Sequence, residues 1–154
     1  MIALSPMTLR DVPLFNTVRN ASREWLTDKA AYTLPDAADW FKRGGGKQFR
    51  VILLGGVPIG YCRVADVVHG DPAIEKWVGM DIHPDYRGRG LAQIAYPLLL
   101  AELHEAGVRK FWLRVLKSNM RARHIYDKLG FVSVLEVGDE IEMLLEVKEA
   151  PRVA

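Results

Sequence analysis

Two short segments carry residue types and spacings able to do chemistry. The first, His83-Pro84-Asp85-Tyr86-Arg87-Gly88-Arg89-Gly90-Leu91-Ala92, joins an extended run to a long apolar helical one. The first N–H groups of a helix have no internal partner and carry partial positive charge. Gly88 and Gly90 keep side chains away from that backbone, and Arg87 and Arg89 add full charges. This composition suits a phosphate or pyrophosphate cradle. It lacks the Gly-Lys-Ser/Thr of a phosphate-loop NTPase. It also has Gln93 where a dinucleotide fingerprint needs glycine or alanine. The second segment runs from Ser118 to Phe131. Asn119 suits a helix cap, Gly130 a helix end, and Tyr126 brings a phenol. Taken separately, each segment also reads blandly, as a glycine turn and as a packed tyrosine.

These residues need a scaffold, and the apolar periodicity outlines one. Residues 2–5 read as a short strand, and Arg10 to Arg19 as a helix with Pro13 in its first turn. Arg23 to Lys29 is a second short helix, or a loop with Trp25 and Leu26 tucked inward. A further helix starts at the cap Thr33, runs through Trp40 and Phe41, and stops at Gly44-Gly45-Gly46. Strands follow at Phe49 to Leu54, Val57 to Val68 and Ile74 to Ile82, the first two a hairpin across Gly55-Gly56. Gly88 to His104 is a long helix that Pro97 should kink. Lys110 to Leu116 is a strand and Asn119 to Leu129 a helix. Phe131 to Leu135 and Glu140 to Val147 close the chain as an antiparallel pair. A strand–helix–strand unit in the middle implies one parallel crossover.

The chain has 154 residues, the size of one domain, with 49% apolar and 26% charged residues. One domain over 1–154 is expected, with a core of about 2–146 and a tail at 147–154. No apolar run approaches the ~18 residues of a membrane span, and no secretory leader is evident. A single cysteine, Cys62, rules out an internal disulfide and a cysteine-based zinc site. It reads as a small buried apolar residue. The histidines show no metal-ligand spacing, so no metal is expected. A cytoplasmic protein is the expectation. Net charge is +2, too balanced for general nucleic-acid binding. Yet nine basic residues crowd the stretch from Arg87 to Lys128, as a solvated face or as the footprint of an anionic ligand.

Together the two segments resemble the acetyl-CoA-binding motifs of the GNAT superfamily of N-acetyltransferases. The family's Arg/Gln-x-x-Gly-x-Gly/Ala stands here as Arg87-Gly88-Arg89-Gly90-Leu91-Ala92. Its Asn-x-x-Ala-x-x-x-Tyr-x-x-x-Gly-Phe is met at Asn119, Ala122, Tyr126, Gly130 and Phe131. The N-terminal third is loosely similar to the branch with ribosomal-protein N-terminal and nucleotide-amino-sugar acetyltransferases. The resemblance implies an α/β (α+β) domain. Its central sheet would be mixed, mostly antiparallel and six- to seven-stranded, with helices on both faces.

The resemblance also implies a transfer of acetyl from acetyl-CoA to a primary amine by direct attack in a ternary complex. Tyr126 would be the general acid on the departing sulfur, and the Met80 backbone N–H the oxyanion donor. The pantetheine would lie along Met80 to Ile82 and take a bond from Asn119. The turn from Arg87 to Ala92 would hold the pyrophosphate, and Arg121 or Arg123 would reach the 3′-phosphate. Relatives in that branch often carry an acid two positions before the strand glycine, but Trp77 stands there. Glu75 and Asp81, on the same strand face, are then the candidate bases, with Asp66 and His69 behind them. The expected acceptor is a small amine such as a nucleotide-linked amino sugar, or else a peptide N-terminus. Trp25, Tyr32, Trp40 and Trp77 are candidates to line its pocket. A non-catalytic acetyl-CoA-binding module is the remaining alternative, and a homodimer is compatible with the family.

Overall fold

The computed structural model describes residues 1–148. The tail expected at 147–154 lies, from residue 149 on, outside the described residues. Among these residues stand seven strands and four α-helices. They are β1 (Ile2–Pro6), α1 (Val12–Ala21), α2 (Leu34–Lys42), β2 (Arg50–Leu54), β3 (Val57–Asp66) and β4 (Glu75–Ile82). There follow α3 (Leu91–Glu105), β5 (Lys110–Leu116), α4 (Met120–Leu129), β6 (Val132–Val137) and β7 (Glu140–Glu146). One sheet takes all seven strands in the order β1-β2-β3-β4-β5-β7-β6. Every neighbouring pair is antiparallel except β4 and β5, which are parallel. The crossover between them is α3. Among the described residues no helix is long and apolar enough to cross a membrane.

Strand alternation sends apolar side chains to both faces, and each face has its own core. On one face α3 and α4 cover Ile52, Cys62, Val64, Val78 and Phe111. On the other, α1 and α2 cover Val51 and Tyr61, and Phe15 stacks on Trp40 with ring centroids 4.7 Å apart. The strand parity that sends Met80 to the first core sends Asp81 and Tyr61 to the second face.

Several boundaries differ from the sequence reading for local reasons. The long helix begins at Leu91 rather than Gly88, because Gly88 and Gly90 both take positive φ, 75° and 72°. It then carries Pro97 in its interior without ending. Of residues 23–29 only Arg23–Trp25 coil, as one 3₁₀ turn. Leu26 is buried there while Trp25 stays 42% exposed, so only one of the two tucks inward. The second hairpin strand ends at Asp66, not Val68.

β4 sits unusually close to β3 at one point. A Cβ built on Gly60 would stand 2.4 Å from the Asp81 carbonyl oxygen and 3.0 Å from the Ile82 Cα. Both neighbours are backbone, so neither can swing aside. Gly60→Ala should therefore destabilise the fold by about 1–3 kcal/mol, a fall in Tm of roughly 3–10 °C. Thermal unfolding checks this, and an unchanged Tm would mean that the strands do not approach so closely.

Candidate active site

The site begins where two strands part. β4 and β5 pair only over Glu75–Trp77 and Lys110–Trp112. Beyond those residues a gap opens at the C-terminal ends of both strands. In an antiparallel pair, alternate residues turn their N–H and C=O away from the partner. The His83 N–H donates to the Ile59 carbonyl, so Asp81 and Gly79 share that bonded phase with β3. Met80 and Ile82 therefore aim their backbone groups into the gap. Across it, Val147 N–H donates to Arg109 and Lys117 N–H to Asp139, which leaves Arg114 and Leu116 aimed inward. The gap is thus edged by backbone donors and acceptors without strand partners. It widens into a cleft of about 830 Å³ whose lining includes Met80, Asp81, Arg87, Gly88, Asn119 and Tyr126.

One wall is the glycine turn. No side chain caps the N-terminus of α3, and a Cβ at Gly90 would meet nothing within 4 Å. The free N–H groups of the first turn, from Leu91 and Ala92 onward, face open space, as an anion cradle requires. The arginines around it divide. Arg87 donates from Nε to the Ile82 carbonyl at 2.9 Å and from Nη2 to the Ser22 hydroxyl at 2.9 Å. It straps the turn to the end of α1 instead of offering its charge. Arg89 donates to the Asp85 carbonyl of its own turn and lies over the Tyr86 ring. Arg123 donates to the Lys117 carbonyl. Arg121 remains, with Nη1 4.0 Å from the Cβ position of Gly88. Asn119 uses its carbonyl oxygen to cap α4, accepting from the Ala122 N–H, which leaves its NH₂ to face the cleft.

Tyr126 is 8% exposed and closes the floor. Its hydroxyl lies 3.1 Å from that of Tyr96, a buried residue of α3, and the rings meet edge to face. Burial holds the Tyr126 phenol above its ordinary value, although the Tyr96 hydrogen bond and the nearby Arg63 charge pull the other way. Neither Tyr96 nor Arg63 was foreseen from the sequence. Tyr96 stands 30 residues from its partner, and only the packing of α3 on α4 joins them. Arg63 reaches the site through strand register, opposite Gly79.

The candidate bases separate. Asp81 is 8% exposed and lines the cleft, with Oδ2 3.1 Å from Arg63 Nε. Glu75 is outside it. It accepts from the Asp71 N–H and from Trp112 Nε1, and these bonds, the Asp71 one foremost, lower its pKa. Asp66 pairs with Lys76 on the exposed end of the hairpin, and His69 lies on an exposed loop. Of the four aromatic residues expected around an acceptor, Trp25 lines the cleft. Tyr32 and Trp40 line a smaller pocket of about 110 Å³ behind Arg63. Trp77 packs on Trp112 instead. Cys62 is fully buried, and that burial pushes its thiol well up. No group of metal-ligating side chains occurs among the described residues.

A parted parallel strand pair, an uncapped helix N-terminus behind a double-glycine turn and a buried tyrosine define a cleft for a long, phosphate-bearing ligand. The sequence profile of the acetyltransferase (GNAT) family matches residues 15–131, and the chain belongs to that family. The acetyltransferase Pat of Mycolicibacterium smegmatis is 37% identical over 70 residues, 46% of this chain and 21% of that protein. The alanine N-acetyltransferase of ribosomal protein bS18 from Escherichia coli is 40% identical over 50 residues, 32% of this chain and 34% of that one. The matches thus span about a fifth to a third of these curated relatives. Solved structures share the fold over nearly the whole chain. The aminoglycoside acetyltransferase AAC(6')-Ib with ribostamycin and coenzyme A has a TM-score of 0.81 at 22% identity, covering 94% of this chain and 93% of that one. The Salmonella typhimurium protein yncA with acetyl-CoA has a TM-score of 0.79 at 17% identity, covering 100% and 99%.

The raised Tyr126 pKa has a direct readout. The tyrosinate absorbance difference between wild type and Tyr126→Phe should show no ionisation below about pH 10. An ionisation seen below that pH would mean that the phenol is solvated or held as a phenolate.

Proposed function

We propose that this protein transfers acetyl from acetyl-CoA to a small primary amine, by direct attack of the amine on the thioester. The parted β4–β5 seam carries the reading. It offers an edge of unpaired amides to an amide-bearing chain, as a sheet edge offers itself to a peptide. The residues fit that substrate from end to end. The α3 N-terminus suits its pyrophosphate, Arg121 a further phosphate, and the Asn119 NH₂ a pantetheine carbonyl.

The seam also divides the chemistry between the two faces of the sheet. Tyr126 and the glycine turn belong to the α3–α4 side, while Asp81, Arg63 and Trp25 belong to the α1 side. An amine entering from the α1 side meets Asp81, which takes its proton and leaves a lone pair. The Met80 N–H, fixed by β3 and pointing into the seam, receives the charge that develops on the carbonyl oxygen. A C–N bond forms, the C–S bond breaks, Tyr126 gives its proton to the departing sulfur, and the proton that the new amide nitrogen sheds passes through solvent to restore the Tyr126 phenol. A phenol is a weaker acid than a thiol by about 1.5 units, so full transfer costs roughly 2 kcal/mol. That is small beside a chemical barrier, and burial raises the thiol's pKa as well. Asp81 is preferred over Glu75 because only Asp81 faces the cleft.

A peptide N-terminus is the second reading for the acceptor. It is favoured by the 40% identity to the ribosomal-protein alanine N-acetyltransferase. Aminoglycosides and a protein alanine are both amines, so the relatives agree on the acceptor group and differ on what carries it.

The reading is tested by thermal unfolding with acetyl-CoA against ATP and NAD, followed by thiol release on addition of amines. At about one hundred times the Kd, acetyl-CoA alone should stabilise by about 2.7 kcal/mol, several degrees for this size. No shift at saturating acetyl-CoA would overturn the proposal. Tyr126→Phe should lower kcat by about 100-fold or more while acetyl-CoA affinity stays within about twofold. Unchanged turnover would remove Tyr126 from the chemistry. Gly90→Glu should weaken acetyl-CoA binding more than about tenfold, since it fills the cradle with negative charge. Gly44→Glu is the control. It imposes a similar backbone strain, at φ 95°, in the exposed turn after α2, none of whose residues lines the cleft, and should leave affinity unchanged.

A further inference from the structure

Most arginines in and around the cleft are spent on the protein itself, and Arg121, which is not, stands at the glycine turn. Arg87 and Arg89 hold main-chain carbonyls, and Arg114 is paired with Glu142 and lies against Trp77. Arg19, beneath the same face, holds the Ala30 and Asp28 carbonyls and stacks on Tyr32.

Arg63 is different. Its guanidinium lies flat across the main chain of β4, so close that a Cβ on Gly79 would stand 2.6 Å from its Cζ. Yet it makes no hydrogen bond among the described residues. Its Nε is 3.1 Å from Asp81 Oδ2, an ion pair without the alignment of a hydrogen bond, and both of these atoms are buried. The side chain as a whole is 39% exposed and lines both the main cleft and the small aromatic pocket. An arginine laid into a cleft floor with its planar fork unfilled is a receptor for an oxyanion. Beside it Asp81, one of whose carboxylate oxygens is turned to Arg63, lines the cleft and can receive an ammonium.

We infer that the acceptor is an α-amino-acid-like zwitterion, its carboxylate held by Arg63 and its amine received at Asp81. The inference rests on the acetyl-transfer reading of the same cleft and narrows its acceptor. The two receptors are neighbours, so the anionic and amino groups of the ligand must be neighbours too. An α-amino acid meets that demand; an aminoglycoside, which has no carboxylate, does not. A peptide N-terminus fails it as well, because its first carboxylate is replaced by an amide. The aromatic pocket behind Arg63, edged by Tyr32, Trp40 and Tyr61, is of a size to take an apolar side chain. Gly79 is part of the same device, since any side chain there would lift the guanidinium off the strand.

Equilibrium binding tests this without relying on turnover. The full chain, saturated with coenzyme A, is titrated with the twenty L-amino acids, and each binder is compared with its own carboxamide and its decarboxylated amine. At least one amino acid should bind about 10- to 100-fold more tightly than its carboxamide, the range expected for a charge-assisted pair. Arg63→Gln should reduce that ratio to within about threefold, and Arg63→Lys should restore part of it. Acetyl-CoA affinity should be unchanged in both, which shows that the cleft is intact. Equal binding of acid and carboxamide, a ratio that survives Arg63→Gln, or no amino acid bound at all would each overturn the inference. Acetyl-CoA-dependent thiol release with other amines would meanwhile leave the transferase reading standing. Loss of the acetyl-CoA thermal shift would overturn the transferase reading instead.

Discussion

The constraint on which the rest depends is the failure of β4 and β5 to stay paired. Each is committed elsewhere. β4 shares seven residue pairs with β3, and β5 shares seven with β7, but the two share only three with each other. The sheet is therefore two antiparallel blocks hinged along a short parallel contact. Leaving backbone donors and acceptors unpaired is expensive where water is excluded, about 1–3 kcal/mol each. The fold meets this cost by leaving the seam open to solvent, which is also what makes it a binding edge. Arg87 stabilises the arrangement, because it takes up the Ile82 carbonyl and anchors the turn to Ser22.

On the proposed reading, the same parting lets one cleft serve two chemically unlike partners. Strand parity separates Met80 from Asp81 across the sheet, so adjacent residues address opposite faces. The α3–α4 face supplies an uncapped helix terminus and a buried phenol, suited to phosphate and sulfur. The α1 face supplies a carboxylate and a guanidinium, suited to a charged acceptor. Only at the seam do the two faces communicate, and there the Met80 N–H points.

Much of this was legible in the sequence. The order of elements followed from periodicity, and the open turn ahead of α3 followed from glycines at a strand-to-helix junction. Tyr126 and Asn119 followed from their resemblance to a known motif. The side chains that complete the site were not legible, for a physical reason. Arg63 lies on an ordinary hairpin strand, and its place over Gly79 is set by register across that hairpin. A glycine inside a strand does signal a close approach of some other group, so Gly79 was the available clue, though it does not say which group approaches. The roles of Arg87 and Arg89 were hidden for the opposite reason. Their charges fit a phosphate, but local carbonyls are nearer and claim them. The separation of Glu75 from Asp81 needed the structure too, because parity puts both on one face and only the length of the pairing decides which one reaches the gap.

The position of Cys62 bears on the route the acetyl group takes. It sits opposite Met80 in the register and so lies within one strand of the seam. A thiolate there would be the natural relay for an acyl group. Parity turns the Cys62 side chain into the α3–α4 core, where it is fully buried among Ile52, Val64 and Val78. Burial raises its pKa, so the reactive thiolate is suppressed at neutral pH. The residue nearest to a nucleophile is thus held as a hydrophobe. Without a cysteine relay, the proposed route has the amine reach the thioester itself, with both partners held in the cleft at once. That requirement is what a passage open to both faces of the sheet provides.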